Sequence, residues 1–152
     1  METSDLTMIS QTAEYALRAV VFLAQQNGSL CTRAQISDSG LIPLDYLTRV
    51  MQLLCDAGIV NVRRGPGGGY MIAREIRDLT VLEVVSAVET LPRVTKCPLG
   101  LSEHELLCPL HAKLDEAAAR FETALRDTLV IDLISSKRRS KKADQNHCSF
   151  PR

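Results

Sequence analysis

The run Gly65-Pro66-Gly67-Gly68-Gly69 constrains this chain more than any other feature. It suits neither a helix interior nor a strand interior, and it separates Ile59-Val60-Asn61-Val62-Arg63 from Tyr70-Met71-Ile72. β-Branched residues favour extended backbone, and glycine supplies the positive φ of a tight connection. The pattern predicts a hairpin with a glycine-rich tip. Upstream, apolar spacing predicts three helices. Ile9–Gln26 places Tyr15, Ala16, Ala19, Val20, Phe22 and Leu23 on one face, with Ser10 or Thr12 as cap and Asn27-Gly28 as stop. Thr32 opens a short helix through Ser37, which Gly40 closes. Pro43 suits the first position of a third helix, in which Leu44, Leu47, Val50, Met51 and Leu54 recur at helical spacing until Gly58 stops it. Three helices followed by a hairpin form a winged helix-turn-helix arrangement.

Downstream, Thr80 begins a fourth helix, Val81–Glu89, with Leu82, Val85 and Val88 inward and Pro92 beyond its end. The stretch from Leu91 to Cys108 shows no periodicity. His111–Ile134 then reads as one long amphipathic helix with Leu114, Ala118, Phe121, Leu125 and Leu129 on one face. No later segment can cover that stripe, so a second copy is expected to do so, giving a homodimer through 111–134. The tail carries Lys137-Arg138-Arg139 and Lys141-Lys142 and is expected to be disordered. The fold class expected is mainly α with a small β wing. A winged helix-turn-helix domain spans 8–80. Residues 81–134 hold a linker helix, a cysteine loop and a long dimerisation helix, and 135–152 form the basic tail.

Several classes are disfavoured. A chain of 152 residues is short for an α/β barrel. No apolar run approaches the roughly 20 residues that span a bilayer, so no membrane partner is expected. Met1–Thr7 carries Glu2 and Asp5 without a basic residue, which does not read as a secretory signal. The five cysteines are odd in number, so a reducing cytoplasm is expected, with metal or redox roles for thiols. No nucleophile–base pair or His-Glu-x-x-His stretch occurs, and Glu103 and Glu105 lie in the irregular segment, so no enzyme is expected. Net charge is zero, with an acidic excess over 81–134 and a basic excess in the tail. Nucleic-acid binding must therefore rest on a local patch.

That patch is legible. A helix fits the major groove of B-DNA, and its N-terminal turns meet base edges first. In the third helix Asp45, Tyr46, Thr48 and Arg49 lie on the polar side. At the hairpin, Arg63 and Arg64 flank Gly65, Pro66, Gly67 and Gly68, whose small backbone can approach a narrow minor groove that favours arginine. The expected partner is a double-stranded DNA operator. A plain hairpin beside a core helix, or a protein-interaction module without metal, would use some of the same features. A phosphate-binding loop would not, because no Lys-Ser/Thr follows and a strand, not a helix, comes next.

The run Arg64-Gly65-Pro66-Gly67-Gly68-Gly69-Tyr70, with Tyr46-Leu47 and Ala57-Gly58-Ile59-Val60 before it, resembles the Rrf-two family of bacterial winged-helix regulators. Thr12-Ala13-Glu14-Tyr15-Ala16-Leu17-Arg18 and Val84-Val85-Ser86-Ala87-Val88-Glu89 are also similar to that family. The resemblance covers about residues 8–134. It implies a homodimeric transcriptional regulator, a repressor by expectation, that binds a partly palindromic operator, with the long C-terminal helices crossing at the interface.

Members that sense iron or redox state carry three cysteines between the fourth helix and the dimerisation helix, in some with a histidine three positions after the last. Cys97 matches the first cysteine, and Cys108 and His111 match the last cysteine and the histidine. The middle cysteine is absent, and Glu103 or His104 occupies the gap. Cys97, His104, Cys108 and His111 can hold a 2Fe–2S cluster, since histidine can replace cysteine on one iron. The same set suits tetrahedral zinc, and a cluster-free regulator or thiol switch is the third reading. Cys31 and Cys55 are expected to be structural, and no role is expected for His147 or Cys148.

Overall fold

The computed structural model describes residues 8–96 and 107–135. The chain begins with helix α1, Gln11–Gln25. Ser10 is extended, and its hydroxyl accepts the Ala13 N–H at 3.1 Å. Glu89 carboxylate accepts the Ser10 N–H at 3.1 Å, so the cap is tied to a distant part of the chain. α1 buries Ala13, Tyr15, Ala16, Leu17, Ala19, Val20, Val21, Leu23 and Ala24 and becomes the central post of the core.

Helix α2, Arg33–Gly40, starts with a capping box in which Thr32 and Gln35 satisfy each other's backbone N–H groups. It runs past Ser37 to Gly40. Helix α3 is Leu44–Asp56, with Pro43 at its N-cap (φ −56°, ψ 134°), one position earlier than expected. Strands β1, Val60–Arg63, and β2, Gly69–Ile72, pair antiparallel in the register Val60↔Ile72 and Arg63↔Gly69. Among the described residues the result is mainly helical with one two-stranded sheet.

Helix α4 is Val81–Ser86, opened by a second capping box between Thr80 and Glu83. Its buried face is Val81, Val84 and Val85, while Leu82 and Val88 are only half-buried. The face is thus rotated from the expected Leu82, Val85, Val88. Thr80 and its capping box fix the rotation, and the Val81 N–H donates to the Thr128 carbonyl at 2.8 Å.

Two helices occupy the span expected to hold one: α5, Pro109–Asp127, and α6, Val130–Ser135. Neither Pro nor Gly breaks them. Thr128 is extended (φ −97°, ψ 121°), Leu129 bridges Thr80, and the Val130 N–H donates to the Leu79 carbonyl at 2.8 Å. These tertiary hydrogen bonds replace those of a continuing helix, and Val130 is fully buried in return. α6 then lies against α1. No residue of α5 is buried by its own chain: Leu110 is 65% exposed and Leu114 50%. Leu125, at the other end of the expected stripe, packs against the chain's own core.

The segment after α4 is held to α5 by a fork-to-fork ion pair. Arg93 Nε and Nη2 donate to the two Asp115 carboxylate oxygens at 2.7 and 2.8 Å. The Val94 N–H adds a bond to Asp115 Oδ1 at 3.0 Å, and Glu122 lies 3.5 Å from Arg93 Nη1. The Arg93 hydrogen bonds hold the Asp115 carboxyl below the usual carboxylate range, with help from the Val94 N–H. A depressed folded-state pKa stabilises the fold above the unfolded-state pKa, and that contribution is lost as pH falls through the folded value. Asp115→Asn is therefore expected to flatten the dependence of melting temperature on pH below about pH 4, where carboxylates titrate. Thermal melts of both proteins across that range check this, and parallel curves would show that Asp115 carries none of the acid sensitivity.

Candidate nucleic-acid interface

The turn between α2 and α3 is built from its own side chains. Leu41 takes left-handed backbone (φ 51°), the Ser37 hydroxyl donates to the Ile42 carbonyl at 2.6 Å, and Ile42 is buried. This fixes the angle at which α3 leaves. Leu47, Val50, Met51 and Leu54 are the inward face of α3, which leaves Asp45, Tyr46, Thr48 and Arg49 exposed together. Leu44, expected among the core positions, is instead exposed on the outward side. It lies in the first turn, ahead of Leu47, the first buried residue of α3.

Two outward residues are held from other helices. The Tyr46 ring meets Tyr15 of α1 edge-on, with centroids 5.8 Å apart at 64°. The Arg18 guanidinium lies 5.9 Å from the Tyr15 ring and also pairs with Glu14. Tyr46 nevertheless remains 52% exposed, so its position is fixed while much of its surface stays open. The Thr48 hydroxyl donates to the Leu44 carbonyl at 3.3 Å and accepts from Arg33 Nη1 of α2 at 3.0 Å. Arg33 escaped sequence reasoning because no periodicity relates a residue at the start of α2 to one in the second turn of α3.

The wing is equally fixed. Cys31, just before α2, exchanges two backbone hydrogen bonds with Tyr70 of β2 (2.9 and 2.8 Å), so the sheet is sewn to the helix-turn-helix. Gly69 permits this, since a Cβ there would sit 2.6 Å from the Cys31 carbonyl oxygen. A Cβ on Gly68 would likewise collide with the Arg63 carbonyl. The tip residues Arg63, Arg64, Gly65, Pro66 and Gly67 are exposed, and Gly68 is half-buried.

Ion pairing divides the arginines. Arg18, Arg74, Arg93, Arg120 and Arg126 are paired with carboxylates. Among the described residues, Arg33, Arg49, Arg63, Arg64 and Arg77 have no carboxylate partner. The first four lie on α2, α3 and the wing, and Arg77 lies between β2 and α4. Planar guanidinium groups left without a carboxylate partner suit phosphate and guanine acceptors.

The second set of candidates is partly visible. Cys97 and His104 lie outside the described residues. Cys108 is the N-cap of α5, with Pro109 at its first helical position. The Cys108 sulfur and His111 Nδ1 are 3.1 Å apart and both side chains are half-buried, so a thiol and an imidazole converge where α5 begins. Among the described residues no group of three or more potential ligands is assembled. Burial pushes up the Cys31 thiol, and burial followed by the neighbouring Asp56 charge pushes up that of Cys55. Both stay protonated, which fits a packing role. The expected basic tail, with His147 and Cys148, lies outside the described residues. Among the described residues no helix is long and apolar enough to cross a membrane.

Comparison with known proteins agrees with this geometry. The family model for Rrf2, an iron-dependent transcriptional regulator, matches residues 9–136. The chain is 30% identical over 145 residues to an HTH-type transcriptional regulator of Haemophilus influenzae, covering 93% of this chain and 94% of that one. It is 27% identical over 141 residues to the HTH-type transcriptional regulator IscR of Citrobacter koseri, covering 91% and 86%. Among solved structures, IscR of T. potens superposes with a TM-score of 0.74 at 22% identity, covering 95% of this chain and 97% of that one. Relatives and fold are those of regulators, not enzymes. The chain belongs to the Rrf2 family and is a DNA-binding, winged-helix transcriptional regulator of the IscR type.

Proposed function

We propose that this chain is a cytoplasmic repressor that binds a partly palindromic operator as a homodimer and is tuned by an iron–sulfur group or by thiol redox state. The observation that carries the reading is the set of carboxylate-free arginines shared by α3 and the wing, beside the exposed Asp45, Tyr46 and Thr48. In this reading α3 enters the major groove. Arg63 and Arg64 follow the adjacent backbone or minor groove, with Gly65, Pro66, Gly67 and Gly68 allowing close approach. Residues 8–80 form the reading domain, 81–134 the sensing and dimerising part, and 135–152 a basic extension. Arg64→Ala is expected to weaken binding about equally on all sequences and to lower the salt slope by about one. Arg49→Ala is expected to change sequence preference, at roughly 1–3 kcal/mol per lost base contact. Titrations of randomised duplexes at two salt concentrations check both, and unchanged affinity and preference in both variants would sink the groove assignment.

The dimer reading is supported by the 19-residue helix α5, which its own chain leaves without a buried residue. Leu110 and Leu114 would be covered by the second copy, with Ala118 and Phe121 continuing the stripe. Leu114 is already exposed in one chain, so Leu114→Glu should fold normally yet shift the protein from dimer to monomer in light scattering at micromolar concentration. A wild-type chain that is itself monomeric there would refute the reading.

The chemistry of the donors at the start of α5 fits a soft metal: Cys108 would supply a sulfur ligand and His111 an imidazole nitrogen from one point. Cys97 and His104 would complete the set for a 2Fe–2S cluster, and the same four donors suit zinc. A bound cluster would supply one-electron redox chemistry and a site that oxidants can dismantle. The chain's own part is to present Cys108 at the N-cap and His111 on the first turn of α5, and to hold that helix to residues 93 and 94 through Asp115. Protein purified without oxygen is expected to carry iron and sulfide and to absorb visible light, with Cys97→Ala and Cys108→Ala abolishing the colour and His104→Ala weakening it. Iron-free protein whose operator affinity is the same oxidised and reduced would leave DNA binding standing without sensing.

A further inference from the structure

We propose that Arg33, on α2 and not on α3, is a specificity-determining residue that reads guanine jointly with Thr48. The inference rests on the assignment of α3 to the major groove and adds a reader from outside that helix. Arg33 is the first residue of α2, and its backbone is fixed by the capping box: the Thr32 N–H donates to Gln35 Oε1 at 2.8 Å, and the Gln35 N–H donates to Thr32 Oγ1 at 3.3 Å. From this anchor the side chain crosses to α3, where Nη1 donates to Thr48 Oγ1 at 3.0 Å. The guanidinium is therefore held at the outward face of α3 instead of trailing along α2.

The hydrogen bonds at Thr48 decide what the pair can offer. A hydroxyl has one hydrogen, and that of Thr48 is given to the Leu44 carbonyl at 3.3 Å. One of its lone pairs accepts from Arg33. What remains outward is the threonine methyl, one lone pair, and the further N–H donors of a guanidinium that has five. Among the described residues Arg33 has no carboxylate partner, although Asp45 lies on the same face of α3. The guanidinium is thus fixed in place by a neutral hydroxyl that leaves its charge intact. A surface dominated by donors matches guanine, whose major-groove edge offers the acceptors N7 and O6. Cytosine presents a donor there, and adenine one donor with one acceptor.

The test uses the full chain and a randomised double-stranded DNA library. Selected duplexes are then titrated at two salt concentrations with wild type, Arg33→Ala, Arg33→Lys, Thr48→Val and Arg49→Ala. Wild type should enrich guanine at one position that Arg33→Ala no longer reads. Affinity for the selected duplex should fall roughly ten-fold in Arg33→Ala, with little change on the duplex lacking that guanine. Arg33→Lys should keep the salt slope and lose the preference, because an ammonium cannot form the fork. Thr48→Val, which keeps the branched shape and removes the acceptor, should relax the same position. A loss in Arg33→Ala that is equal on all sequences, with the salt slope reduced by about one, would mark a phosphate contact and overturn the proposal. So would unchanged binding in Arg33→Ala, or a retained preference in Arg33→Lys. If Arg49→Ala changes preference while Arg33→Ala does not, only this inference fails. If neither does, the placement of α3 in the groove fails with it.

Discussion

The close packing of other elements on α1 is the constraint from which the rest follows. Ala13, Ala16, Ala19 and Ala24 lie on this helix among larger Tyr15, Leu17, Val20, Val21 and Leu23, all buried. Small residues let α2, α3, α4, α6 and β2 approach one helix together, and the larger ones fill the gaps between them. Each buried aliphatic side chain contributes on the order of 1.5–3 kcal/mol by leaving water, so a helix buried on most sides is hard to move. Because α1 is fixed, α3 is fixed against it through Leu47, Val50, Met51 and Leu54. Tyr15 carries that constraint to the surface by holding the ring of Tyr46. The outward face of α3 is therefore positioned from the core outward.

Much of this was legible because it is local. The apolar period of α1 and α3, the caps at Ser10, Thr32 and Thr80, and the glycine-rich tip each declare themselves within a few residues. What stayed hidden depends on partners far along the chain. The break at Thr128-Leu129 has no proline or glycine to announce it, and it exists because residues 79–81 offer hydrogen bonds to that backbone. The Val81 N–H bond to the Thr128 carbonyl, part of the setting of α4, is likewise a long-range contact. At the interface, the exposure of Asp45, Tyr46, Thr48 and Arg49 could be read from helical spacing. The bond from Arg33 to Thr48 could not, because it requires the angle set by Leu41 and Ile42 between the two helices.

Zero net charge conceals a separation of roles among the cations. On α5, Arg120 and Arg126 face Glu116 and Glu122 one turn earlier, and Arg93 is neutralised by Asp115 and Glu122. Such exposed pairs add little stability individually, but they cancel the local field. On α2, α3 and the wing the arginines are left without carboxylate partners among the described residues, which in the proposed reading leaves their charges available to a polyanion. Pairing thus distinguishes the arginines of α5 and its clamp from those of α2, α3 and the wing, although Arg77, between β2 and α4, is also without a carboxylate among the described residues.

The Arg93–Asp115 clamp bears on how any sensing group would act. Val94 lies three residues before Cys97, and Asp115 lies one turn beyond His111. The two flanks of the cysteine loop are therefore joined by protein contacts before any metal is considered. In the proposed reading, this lowers the entropic cost of gathering Cys97, Cys108 and His111 around a group. It also limits what losing the group can do, because α5 would remain attached to the chain after α4. A ligand shifts a conformational equilibrium only by its differential affinity for the two states. A large change in DNA binding would then require that losing the group also weaken the Arg93–Asp115 pair, which lies one turn along the same helix from His111. The clamp and the ligand set would act as one hinge, in which the strength of the ion pair sets how far the signal travels.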